Sequence, residues 1–173
     1  MRLVVLVLCI TLFAIIYSSC GYLNASSDAK SYCHIGDIVF NPLEDDPDFK
    51  VCHPDKIFQY FNKGSEPEYM NEKVALDEYF SASYNPVELF EENGMIRIRF
   101  VGNCQGKADR FRMIASGSDY KEKVFDERIT SQLMELTRSI TEWPVKKYNK
   151  GDGDYYMYLI FKIRDGQLIE IMP

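Results

Sequence analysis

The stretch IRIRFVGNCQGKADRFRMIAS, Ile96 to Ser116, decides the fold. Ile96, Ile98 and Phe100 alternate with Arg97 and Arg99, and after a polar turn Phe111 and Met113 alternate with Arg110 and Arg112. A period of two places the apolar side chains on one face and the arginines on the other. The spacing predicts a β-hairpin with one buried face and one basic, wet face. No nucleophile or acid–base pair accompanies it.

Working outward, EKVALDEYFSAS, Glu72 to Ser83, reads as a helix. Ala75, Leu76, Tyr79 and Phe80 share a face opposite Glu72, Lys73, Asp77 and Glu78, and Pro86 stops its continuation. A second helix is expected from Asp126, its N-cap, to Ile140, where Phe125, Ile129, Leu133, Leu136 and Ile140 repeat at helical spacing. That stripe reads as core. Trp143–Pro144 closes it. Tyr155 to Ile163 then forms a long strand, and Asp165-Gly166-Gln167 turns it into Leu168–Ile171. The order helix, two strands, helix, two strands defines an α+β fold: an antiparallel sheet of three to four strands packed on two helices.

The N-terminus is different in kind. Arg2 precedes the apolar run Leu3–Ile16, and Ser18–Ser19 stand directly before Cys20. A charged start, an apolar segment shorter than the about 20 residues of a membrane span, and small residues before a cut describe a secretory signal. The small pair before Cys20 is similar to a bacterial lipobox, so Cys20 is the expected acylated residue. The chain then divides into a lipoprotein-type signal at 1–19, a Ser-rich tether at 20–32, an irregular appendage at 33–65 and a folded domain at 66–173. Export places the protein in a bacterial cell envelope, facing the periplasm or the cell surface.

An oxidising compartment favours disulfides. Cys33 and Cys52 sit in related contexts, YCHIGDIVF and VCHPDKIF, and are the expected pair, with Cys104 free in the hairpin turn. Cys33, His34, Cys52 and His53 also make a zinc-ligand set by count. Their spacing lacks a C-x2-C or H-x3-H step, so the expectation is a disulfide with surface histidines and no metal or other cofactor. NPLEDDPD, Asn41 to Asp48, reads as a solvated loop, because Pro42 and Pro47 break calcium-ligand spacing.

The net charge of −6 over 173 residues, with no basic stripe to offset it, argues against nucleic-acid binding. GNCQGKA, Gly102 to Ala108, is one spacer short of a phosphate loop and has Ala108 where a hydroxyl must reach magnesium. G-x-S-x-G and H-E-x-x-H are absent from the sequence. These features lead us to expect a protein that is not an enzyme.

Residues 66–173 resemble the C-terminal domain of TonB and its lipoprotein relatives in Bacteroidetes-type bacteria. Pro67, Glu68, Tyr69, Ala75, Leu76 and Tyr79 match the family's lead into its first helix, followed by Tyr84 and Pro86. Gly106 falls on the turn glycine of the family hairpin, Trp143–Pro144 on the Trp after the second helix, and YLIFKIRDGQLIEI, Tyr158 to Ile171, on the final strand and turn. The family's paired glycines are Asn71–Glu72 here. The resemblance implies an open edge on the last long strand, with Tyr155, Tyr156, Tyr158 and Ile160 as the peptide-binding edge. It further implies, as partner, an extended segment of an outer-membrane or periplasmic protein. The alternatives are a structural or stress-related envelope lipoprotein without peptide binding, and a metal-binding protein using the two Cys-His pairs.

Overall fold

The computed structural model describes residues 37–60, 67–148 and 151–172. The chain divides into two compact units, Met1–Gly36 and Asp37–Pro173, and the second holds every described residue. The expected signal, the tether, Cys20, Cys33 and His34 lie outside the described residues. Within those, no helix is long and apolar enough to cross a membrane.

The second unit is α+β. Its elements are β1 (Ile57–Gln59), α1 (Pro67–Ser83), β2 (Gly94–Gly102), β3 (Ala108–Gly117), α2 (Glu127–Arg138), β4 (Lys146–Tyr148), β5 (Gly151–Arg164) and β6 (Gln167–Met172). The sheet has six strands and is mixed, which corrects the expected antiparallel sheet of three to four. Its main path runs β1-β5-β2-β3, with β4 and β6 also pairing with β5. Among the described residues the one parallel pair is β1 with β5, in the register Ile57↔Asp154 to Gln59↔Tyr156. The appendage supplies that strand, and three residues are too few to carry a readable alternation.

The hairpin forms as its period dictates. Ile96, Ile98, Phe100 and Phe111 are buried, and Ile96 pairs with Ala115 and Ile98 with Met113. The register shifts between Arg99 and Val101, a bulge beside which Arg110 takes φ +58. The turn closes at Gly106, φ +74, a backbone that suits glycine. Asp165 and Gly166, φ +51 and +73, form the turn between β5 and β6 in the pattern that Asp-Gly favours.

Both helices lie on the apolar face of the sheet. Phe80 and Tyr84 of the α1 end join Ile129 and Leu133 of α2 in one cluster with Ile96, Ile98, Phe100, Leu159 and Phe161. Helix α2 starts where expected: the Asp126 carboxylate accepts from the Arg128 N–H. The indole of Trp143 packs on Phe100, centroid to centroid 4.4 Å.

The opposite face is half covered. Residues 37–51 lie across the first part of β5, where Ile38, Val101 and Tyr156 form a second cluster with Phe49, Val51 and Ile57. Burial along β5 reports this: Gly153 to Met157 are buried without alternation, whereas Tyr158 to Ile163 alternate between half-buried and buried. The first half is covered on both faces and the second on one.

Candidate interaction surface

The long strand is not an edge. β5 pairs with β2 along one side from Tyr155 to Ile163 and on the other with β1 and then β6, while β4 pairs with its first residues, Gly151–Gly153. The expected peptide-binding edge of Tyr155, Tyr156, Tyr158 and Ile160 is therefore corrected to an interior strand. Two of its tyrosines are structural. Tyr155 is 1% exposed and its hydroxyl donates to the Pro144 carbonyl at 2.7 Å. The Tyr156 hydroxyl donates to Asp37 Oδ1 at 3.1 Å, and burial together with the Asp37 charge pushes its pKa up to about 12. Tyr158 and Ile160 are half-buried on the outer face.

The cysteine pairing is also different. Cys52 bonds to Cys104, Sγ to Sγ 2.07 Å, so Cys104 is not free and Cys33 is not the partner of Cys52. The physical reason lies one strand away. Asp154 is wholly buried in β5, and its carboxylate accepts the backbone N–H groups of Cys52, His53 and Cys104. Those bonds solvate the anion and bring the two cysteines side by side. His53 Nδ1 stands 3.6 Å from the same carboxylate on the exposed side. Cys52, Cys104 and Asp154 are close enough together to hold an ion by distance alone. Both sulfurs are consumed in the bridge, so no thiolate is offered, and the Cys52 part of the proposed zinc set is removed.

The acidic loop is not simply solvated. Asp45 is buried and holds Arg112 of β3 in a two-pronged pair, Nη1 to Oδ1 and Nη2 to Oδ2 both at 2.7 Å. Arg112 beside it keeps the Asp45 carboxyl below the usual carboxylate range despite burial. Arg112 Nη2 also donates to the Val39 carbonyl, and Arg110 Nη1 to the Ile38 carbonyl. The basic face of the hairpin is thus what anchors residues 37–45. A sign of this was present in the sequence as opposite charge on the loop and the hairpin, but not its pairing.

Among the described residues β3 is the terminal strand on one side of the sheet, while β1, β4 and β6 each pair only with β5. β3 pairs with β2 on one side, and on the other only its end is occupied, by the Ser116–Glu122 bridge and by the Lys123 N–H donating to the Ala115 carbonyl at 3.1 Å. Ala115 therefore turns away from β2, and Met113, two residues earlier, turns its N–H and C=O to the same open side. Among the described residues no backbone group pairs with Met113 there. Ile114 beside it is 58% exposed. Comparisons with protein-family models, with curated proteins and with solved structures find no match to this chain.

Proposed function

We propose that the protein is an exported, non-enzymatic interaction module, tethered through Cys20 at a bacterial envelope, whose partner adds an extended segment to the open edge of β3. The order of helix, hairpin, helix, long strand and return strand supports reading residues 66–173 as a TonB C-terminal-like domain. The Cys52–Cys104 bridge supports export, because such bonds persist in oxidising compartments. The observation that carries the binding site is β3 itself: a terminal strand whose Met113 backbone has no partner on its outer side among the described residues, with an exposed Ile114 next to it. Strand addition there takes affinity from main-chain bonds and selectivity from alternate side chains.

A second reading is a structural envelope lipoprotein that binds no peptide. It is favoured by the neighbours that β5 has on both sides, and by the bulge and charges of β3, which are devices that keep edges from pairing. One experiment separates the two. The disulfide-intact protein is used to capture partners from envelope extracts, beside an Ile114→Lys variant whose added charge opposes strand pairing without touching the core. A periplasmic or outer-membrane protein recovered by the native chain and lost with Ile114→Lys supports strand addition. Equal recovery by both, or none, leaves the structural reading. Intact mass of the same preparation tests acylation at Cys20.

A further inference from the structure

Where residues 37–41 cross the outer face of the sheet they leave a cleft of about 450 Å³, bounded by Asp37–Asn41 on one side and by Arg97, Arg99, Arg112 and Ile114 on the sheet. Its three arginines are not equivalent. Arg112 is neutralised by Asp45 at 2.7 Å and by Glu44 at 3.5 Å. Arg99 has the Asp37 charge nearby, although burial and the charge of Arg97 together hold its pKa below the ordinary value. Arg97 is half-buried, and its Nε is fully buried with no hydrogen-bond partner. Among the described residues it forms no ion pair, and the Tyr158 ring lies with its centre 6.0 Å from the guanidinium carbon. A guanidinium nitrogen buried without a hydrogen-bond partner is costly. Arg97 and Arg99 are also two positions apart on one strand, so they share a face and repel each other.

A ligand that brings a negative charge relieves both penalties. The remaining walls say what else it carries, since Ile114 is 58% exposed, Val39 65% and Phe40 42%, all bordering the cleft. We propose that this cleft binds a small amphiphilic oxyanion, a carboxylate or phosphate held by the Arg97 guanidinium, with a short apolar chain lying against Ile114, Val39 and Phe40. Carboxylate and phosphate share the two-pronged geometry that guanidinium recognises. The proposal is independent of strand addition at β3, although both use Ile114.

The test is calorimetric titration of the disulfide-intact protein with octanoate, octyl phosphate, inorganic phosphate and octanol, below their aggregation limits. Saturable binding of octanoate or octyl phosphate, weaker binding of inorganic phosphate and none of octanol is expected, the preferred head group naming the source. Arg97→Gln should weaken binding about tenfold, the loss of one charge-assisted contact. Should that variant melt early, Ile114→Asp, an acid at an exposed position, should weaken it by a similar factor. Ile114→Lys should tighten anion binding while removing strand addition, so the two readings fail separately. Unchanged affinity in both Arg97→Gln and Ile114→Asp, octanol binding as well as octanoate, or no saturable binding of either amphiphile overturns the proposal. Inorganic phosphate binding as tightly as octyl phosphate overturns its apolar half.

Discussion

Asp154 shows how much one side chain can organise. Its carboxylate takes three backbone N–H groups from two separate segments. Asp154→Ala should leave those donors buried and unsatisfied, lowering stability by about 3 kcal/mol in urea unfolding. Asn keeps one acceptor oxygen but turns an N–H toward a backbone N–H, so it should recover only part of the loss. Asp45 and Tyr156 give opposite pH signatures. Arg112 depresses the folded pKa of Asp45 below 3.8, so its contribution is complete above that value and is lost as pH falls through the folded pKa. Asp45→Asn should flatten the acid limb of a stability–pH curve. Tyr156 is raised from 10.0 to about 12, so the folded state holds its proton longer than the unfolded one, and stability should fall as pH rises between those values. Tyr156→Phe should reduce that alkaline slope, read as urea midpoints against pH, with the part due to buried Tyr84, whose pKa burial also raises, remaining.

At the scale of elements, what was legible was what has a period. The Ile96–Phe100 alternation and the Ile129–Leu133 stripe both became core, and Asp-Gly became a tight turn, because each signal is local and repeats within a few residues. β1 was illegible: Ile57–Gln59 is too short to alternate, and its pairing with Asp154–Tyr156 spans the whole domain. The open edge on β5 was implied by the family resemblance; β1 along Asp154–Tyr156 and β6 along Ile160–Arg164 occupy that side instead. The cysteines failed for a related reason, since similar flanking sequence carries no distance information, whereas the shared carboxylate of Asp154 does. The turn between β5 and β6 carries a sharper constraint than its sequence alone suggests. Besides φ +73, a Cβ on Gly166 would stand 1.8 Å from the Val87 carbonyl oxygen. Gly166→Ala should therefore cost at least about 2 kcal/mol, checked by chemical denaturation. A comparable loss is not expected at Gly151, where a Cβ meets nothing within 4 Å.

At the scale of the whole molecule, the bridge closes a loop with a sequence separation of 52 residues. By chain-closure entropy, replacing both Cys52 and Cys104 with Ser should lower stability by about 4 kcal/mol. Fluorescence and urea unfolding of the double variant, beside the reduced native chain, would check this. The loss should be accompanied by faster hydrogen exchange in residues 37–60, which the bridge holds against Val101 and Tyr156. The same bond has a mechanical meaning. A pull applied between the two chain ends reaches Cys52, crosses the sulfurs to Cys104 and bypasses β1, α1 and β2 entirely. About 170 Å of contour is then withheld from extension while the bond is intact. Under load the oxidised domain would yield in residues 37–51 and in the elements from β3 onward, and a reductant would release the hidden length in one step.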